Sequence, residues 1–182
     1  LAFLQAQIKP HFLYNTLNTI ATFCLKNPAQ ARNLINDFAT YLRHSFDFHR
    51  FEQLAPLEAE MELVEAYLNI EQARFGDRLK IEYDIDPVMA RVHIPQLTIQ
   101  PLAENAVCHG VMKQSGGGTI RIEVSEAGDS CRICVSDDGA GIAEEQVRVL
   151  FAAEPDMDAG RIGIGLRNID SRLRKQFGSG LQ

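Results

Sequence analysis

Cys131-Arg132-Ile133-Cys134-Val135-Ser136-Asp137-Asp138-Gly139-Ala140-Gly141-Ile142 is the stretch whose reading decides the architecture. Apolar side chains fall at 131, 133 and 135, the period of two that marks one face of a β-strand. Asp137 continues that parity, so the strand aims a carboxylate at its covered side, where an unpaired charge would be costly. Gly139 and Gly141 leave the backbone bare just beyond it, which lets a flat or anionic ligand come close. Taken alone, the segment also reads as a polar turn after an edge strand. Upstream, Ile120, Ile122 and Val124 alternate in the same way, and the turn-forming Ala127-Gly128-Asp129 separates the two runs. A β-hairpin is expected.

Outward from the hairpin the character of the chain changes near Phe75-Gly76-Asp77. After that point a strand is expected over Leu79 to Ile85, a turn at Asp86-Pro87, and a helix from Pro95 to Cys108 that ends at His109-Gly110. Beyond the hairpin, Ala143 to Leu150 reads as a helix, 152 to 162 as a loop of small and charged residues, and Leu166 to Phe177 as a final helix. Before Gly76 there is no glycine at all, and the apolar spacing is helical. Leu1, Leu4, Ile8 and Phe12, then Leu13, Leu17, Ile20 and Cys24, fit one helix that Asn27-Pro28 ends. A second helix carries Leu34, Phe38, Tyr41 and Leu42, and a third runs from Leu57 to Phe75 between Pro56 and Gly76. The expected fold class is α+β, with a helical unit over 1–75 and an α/β unit over 76–182.

Composition narrows the function classes. The 182 residues include 46% hydrophobic and 23% charged side chains, enough for a sizeable core and incompatible with wholesale disorder. A net charge of −6 and a pI near 5.4 argue against a nucleic-acid partner, whose phosphates call for a basic surface. The longest apolar run, Val149 to Ala153, falls far short of the roughly 20 residues of a membrane helix. The N-terminus has no signal-peptide pattern, so a soluble chain is expected. Four cysteines, at 24, 108, 131 and 134, make no disulfide framework at this size and point to a reducing compartment. Cys131 and Cys134 stand three apart in a strand and so face opposite ways, which argues against a metal or redox pair.

Three further groups bear on chemistry. Gly160-Arg161-Ile162-Gly163-Ile164-Gly165-Leu166 stands before a helix, whose N-terminal amides suit phosphate, although neither a dinucleotide GxGxxG nor a GxxxxGK[ST] loop is present. On the Gln100 to Gly110 helix, Asn105 and His109 are four apart and share a face, and an amide oxygen suits Mg2+ beside phosphates. In the opening helix the stripe Leu13, Leu17, Ile20, Cys24 lies about 150° from His11, so His11 faces outward if that stripe is the core. Asn15 lies one turn on, almost over it, and Leu4 and Ile8 share the same face. An exposed imidazole is a competent nucleophile near neutral pH, though a lone one is more often a solvated surface residue.

Taken together, Pro10-His11-Phe12-Leu13-Tyr14-Asn15, Tyr67-Leu68 through Arg74-Phe75-Gly76-Asp77-Arg78-Leu79, Gln100 through Ala106, Asp137 to Gly141 and Gly163-Ile164-Gly165-Leu166-Arg167-Asn168 resemble, in this order, the LytS/YesM-type sensor histidine kinases. The resemblance spans essentially the whole chain. It implies a helical dimerisation and phosphoacceptor unit followed by a Bergerat (GHKL) ATP-binding α/β sandwich. By the same resemblance His11 is the phosphoacceptor, Asn105 helps hold Mg2+ on the phosphates of ATP, and Asp137 accepts the adenine amino group. Gly139, Gly141, Gly163 and Gly165, with Leu166 beside them, shape the nucleotide walls, His109 stands near the phosphates, and 152–162 forms a lid. The i, i+4 spacing adds the hypothesis that Asn15 holds the other ring nitrogen of His11. A response regulator and a second copy of the chain are the implied partners. The resemblance also places sensing and membrane segments before Leu1 and a last strand pair after Gln182, so the chain reads as the cytoplasmic core of a membrane-bound bacterial sensor.

Departures from the pattern carry expectations of their own. Asp138 replaces the usual Asn and puts a second negative charge near a polyanion, which predicts weakened nucleotide affinity. Cys108 stands where a basic residue is common. Pro101, four before Asn105, replaces the Glu with which related ATPases activate water, which favours transfer to His over hydrolysis. Two other readings stand beside the kinase. A GHKL ATPase without phosphohistidine keeps its activity when His11 is removed, and a non-catalytic dimerisation and docking module binds no nucleotide.

Overall fold

A computed structural model describes residues 10–46, 54–143, 147 and 162–178. The expected helix over 143–150 and the lid over 152–162 lie outside them, apart from Ala143, Val147 and Ile162, as do Leu1, Leu4 and Ile8. Helix α1 spans Pro10–Lys26 and α2 spans Pro28–Phe46. Asn27 separates them and caps α2: its Oδ1 accepts the Gln30 N–H at 3.2 Å, and Pro28 supplies a first helical residue that needs no acceptor. α2 therefore starts well before its first apolar marker, Leu34.

The phase of α1 differs from the expected one. Its buried residues are Phe12, Thr16 and Ile20, whereas Leu17 is 52% exposed and Cys24 is also exposed. The Phe12 ring explains the rotation, because it packs 4.7 Å from Tyr41 of α2 and 5.3 Å from Tyr67, and burying this aromatic body outweighs burying Leu17. His11 faces solvent as expected, but the neighbour that fixes its direction is Phe12.

Helix α3, Leu57–Phe75, has the expected limits, with Pro56 before it and the Gly76 N–H returning to the Gln72 carbonyl at its end. It buries Leu57, Met61, Leu63, Val64, Ala66, Tyr67, Leu68 and Ile70, apolar positions on nearly every side, as a helix enclosed by neighbours requires. On one side lie α1 and α2; on the other lies a sheet of β2 (Leu79–Ile85), β4 (Gly118–Ala127) and β5 (Ser130–Asp137) in that order. β2 runs parallel to β4, and β4 and β5 form the hairpin, with Ala127 paired to Ser130 and Gly128 at φ +62° in the turn. Ile120, Ile122 and Val124 are sealed in the core, and Cys131, Ile133 and Val135 line the same face, half-buried. Cys134 points the other way and is exposed, and among the described residues no cluster of metal-ligating side chains forms.

Two strands too short to leave a pattern, β1 (Leu54–Pro56) and β3 (His93–Pro95), pair antiparallel at the other end of α3. Helix α4 begins at Gln100, not at Pro95, and after Asn105 it widens into a π-helical turn over Ala106–Gly110. Helix α5 spans Ile162–Phe177, four residues earlier than expected. One continuous core joins Phe12, Tyr41 and Tyr67 to Ile99, Val107, Ile120 and Ile122, so α3 belongs as much to the sheet as to the helical hairpin. No helix of the described residues is long and apolar enough to cross a membrane.

The α2–α3 seam carries a pH dependence. Burial pushes the Asp37 carboxyl above its ordinary range, against a hydrogen bond from Asn69, and burial followed by repulsion from Asp37 and Glu62 does the same to Glu65. A carboxyl whose folded value lies above its unfolded one favours folding below the unfolded value, and that contribution is lost as pH rises through the folded one. The urea midpoint should therefore fall as pH is raised from just above the ordinary value of 4.5 toward neutrality. Glu65→Gln should remove part of the fall; an unchanged slope would refute the assignment.

Candidate functional site

Asp137 closes β5 opposite the fully buried Ile120. It keeps the expected parity but is not covered: the residue is exposed, because the strand end runs out beyond the packed layer. Its Oδ1 accepts the Gly139 N–H at 2.9 Å. The surface it leans on is bare backbone, for a Cβ added to Gly110 would lie 2.3 Å from that Oδ1, and one added to Gly139 would lie 2.2 Å from the Gly110 carbonyl carbon. The Ala140 N–H points to the Gly110 carbonyl at 3.4 Å. The hairpin end and the π turn of α4 thus meet through two glycines around one carboxylate. An extra residue in a helical turn is frequent at binding sites, and here it delivers Gly110 to the contact.

The charge of Asp138 goes elsewhere. Its Oδ1 accepts the Thr119 N–H at 2.6 Å and its carbonyl accepts from Gln114 Nε2, so the carboxylate braces the start of β4.

Asn105 ends the regular part of α4, half-buried, and its side-chain amide makes no hydrogen bond among the described residues. His109 is half-buried in the π turn with Nδ1 enclosed. Gly141 is exposed at φ +69°. Gly163 and Gly165 fall within the first turn of α5 rather than ahead of it, where free amides are still available, and Leu166 is half-buried one residue on.

On the helical side, Asn15 Nδ2 lies 3.2 Å from both Nδ1 and Nε2 of His11, so the amide stands beside the imidazole one turn away without singling out one ring nitrogen. Phe12 packs on Tyr41 and Tyr67, and Gln100 Nε2 donates to Glu104 at 3.0 Å. Burial raises both phenols far above their usual range, with Glu104 and Glu71 adding to it, so they remain neutral donors.

A buried carboxylate absent from the sequence reading organises the other end of α4. Glu60, 3% exposed on α3, accepts the N–H groups of Leu97 at 2.8 Å, Ile99 at 2.9 Å and Gln100 at 3.3 Å. Leu97 is held at φ +54°, and Arg172 of α5 donates to the neighbouring Gln96 carbonyl. Burial raises the Glu60 carboxyl, and the converging N–H groups oppose this. Its partners stand 37 to 40 residues away, so no local spacing marks it. Gly110 was equally hidden, since in sequence it reads only as a helix stop.

The described residues form an α/β unit joined to a helical one. Residues 1–79 match the family described as histidine kinase, and residues 91–182 match the histidine kinase-, DNA gyrase B- and HSP90-like ATPases; the chain belongs to the histidine kinases. It is 41% identical over 182 residues to the protein YwpD of Bacillus subtilis (strain 168), covering all of this chain and 63% of that one. It is 41% identical over 178 residues to the sensor histidine kinase YpdA of Escherichia coli (strain K12), covering 98% of this chain and 30% of that protein. The sensor histidine kinase/phosphatase LytS of Staphylococcus aureus (strain MRSA252) is 32% identical over 176 residues, which cover 96% of this chain and 30% of LytS. The chain thus spans under two thirds of the first relative and about a third of the others. Among solved structures, the histidine kinase domain of the Erythrobacter litoralis EL346 blue-light activated histidine kinase aligns with a TM-score of 0.46 at 17% identity, over 93% of this chain and 81% of that one.

Proposed function

We propose that the chain is the kinase core of a two-component sensor, which phosphorylates its own His11 with MgATP and passes the phosphoryl group to an aspartate of a response regulator. The observation that carries this reading is the exposed His11 imidazole with the Asn15 amide beside it. A neutral ring nitrogen of His11 forms the N–P bond as the bond from the γ-phosphorus to the ADP oxygen breaks, and the proton on the other ring nitrogen leaves to solvent. With its amide turned so that Oδ1 accepts the ring N–H, Asn15 fixes the ring plane for that approach and leaves the attacking lone pair free. Asp137 receives the adenine amino group, Gly139 and Gly141 admit the base, and the amides around Gly163, Gly165 and Leu166 meet the phosphates. Mg2+ beside phosphates keeps its waters and takes only one or two protein oxygens, so the free amide of Asn105 fits as its ligand, with His109 nearby. When bound, the ion offsets charge on the transferring group. Pro101 leaves no carboxylate base four residues before Asn105, which supports transfer to histidine over hydrolysis.

A second copy of the chain is the partner assigned to the outer face of α1. Tyr14, Leu17 and Leu25 share one side of that helix at 69%, 52% and 91% exposure, an apolar stripe of the kind that marks an association surface. Full-length sensor, membrane attachment and cytoplasmic placement belong to the same proposal.

Incubation with γ-labelled MgATP followed by mass spectrometry tests the reading. An acid-labile phosphoryl group on His11 is expected. A modification on another residue, or no binding of adenine nucleotides with or without Mg2+, would overturn it.

A further inference from the structure

Gly110 and Gly139 both close on Asp137, but a side chain at each would have a different effect. At Gly139 an added Cβ meets backbone, the Gly110 carbonyl carbon at 2.2 Å and its Cα at 2.6 Å, so α4 itself would have to move. At Gly110 the three nearest atoms are Asp137 Oδ1, Cγ and Oδ2 at 2.3, 2.6 and 2.9 Å, all belonging to the end of one exposed side chain. That carboxylate can swing away without disturbing the fold. Among the described residues its position is otherwise fixed by the Gly139 N–H on Oδ1, which leaves Oδ2 and a second lone pair of Oδ1 for a ligand.

We propose that Gly110 is a specificity-determining residue of the nucleotide site: by lacking a side chain it sets where Asp137 stands to read the amino edge of a purine, and so whether adenine is told apart from bases without that group. The inference rests on the reading of Asp137 as the base acceptor. Ordinary contact with a carboxylate oxygen begins near 3.4 Å, so an Ala at 110 displaces the carboxylate by about 1 Å. A hydrogen bond of ordinary length does not survive that shift. A bond to a charged acceptor is worth about ten- to a hundredfold in affinity, and that factor should vanish while contacts to ribose and phosphates remain.

The test titrates the chain with ADP and with purine riboside 5′-diphosphate, which is ADP without the exocyclic amino group. Wild type should prefer ADP by about ten- to a hundredfold, and Gly110→Ala should bind the two within about threefold of each other. The double variant Gly110→Ala/Asp137→Ala should match Asp137→Ala alone, because the clashing partner is gone. A purely structural role for Gly110 would weaken both ligands together and leave their ratio intact, which would overturn the inference. So would a double variant that binds either ligand worse than Asp137→Ala. If Gly110→Ala alone does not fold, a folded double variant supports the clash with the carboxylate and an unfolded one refutes it. A wild type that does not distinguish the two nucleotides would instead remove the reading of Asp137 on which the inference stands.

Discussion

His11→Gln should take up no phosphoryl label from MgATP, a loss of at least about a thousandfold, while its ADP titration stays at the wild-type value. The size of the effect follows from the chemistry of the replaced atom. An imidazole nitrogen offers an in-plane lone pair to phosphorus, whereas the lone pair of a carboxamide nitrogen is delocalised into its carbonyl. The clean separation from binding follows from position. His11 is exposed near the start of α1, and Gln is a comparable helix former, so the substitution should shift stability by no more than about 0.5 kcal/mol. Asn15→Ala supplies the graded comparison. It removes one hydrogen bond to the ring and leaves the nucleophile in place, so labelling should slow by about tenfold at unchanged ADP affinity. Labelling of His11→Gln at the wild-type rate would place the acceptor elsewhere, and an unaffected Asn15→Ala would reduce Asn15 to a bystander.

Which features were legible in the sequence follows from the range of the forces that set them. β4 and β5 emerge from alternation because each residue's face is fixed by its neighbour two positions away, and the observed register joins the residues that the alternation pairs. α3 is bounded as expected because Pro56 and Gly76 act on the backbone where they stand. The direction of His11 came out as expected although the phase of α1 did not. Periodicity alone cannot tell whether Phe12 or Leu17 faces inward, since that choice lies with Tyr41 and Tyr67 on two other helices. β1 and β3 have three residues each and form only because each completes the other. The Asp137 carboxylate shows both sides of the divide. Its parity was readable; its exposure, and the bare backbone of Gly110 behind it, depend on a π turn that no local signal announces.

Glu60→Ala should cost about 3–5 kcal/mol of folding stability, a large part of the 5–15 kcal/mol that typically holds a domain together. The buried N–H groups of Ile99 and Gln100 and the half-buried one of Leu97 lose their acceptor at once, and each unsatisfied donor costs about 1–3 kcal/mol before water partly compensates. The left-handed conformation of Leu97 adds to the loss, because the converging bonds are what keep a branched residue at φ +54°. The attraction that opposes desolvation of the Arg172 guanidinium disappears as well. Glu60→Gln separates these contributions. The amide keeps one oxygen, able to serve Ile99 and Gln100, but turns an NH2 group toward the Leu97 N–H, so a loss of about 1–2 kcal/mol is expected. The damage should spread along α4, since the same loop starts the helix that carries Asn105 and holds α5 through the Gln96 carbonyl. Hydrogen exchange should therefore accelerate in 97–105 and in α5 before it does in the β4–β5 hairpin. Urea titration that places Glu60→Ala within 1 kcal/mol of wild type would mean that water replaces the carboxylate at no net cost, and that α4 is held by its apolar packing alone.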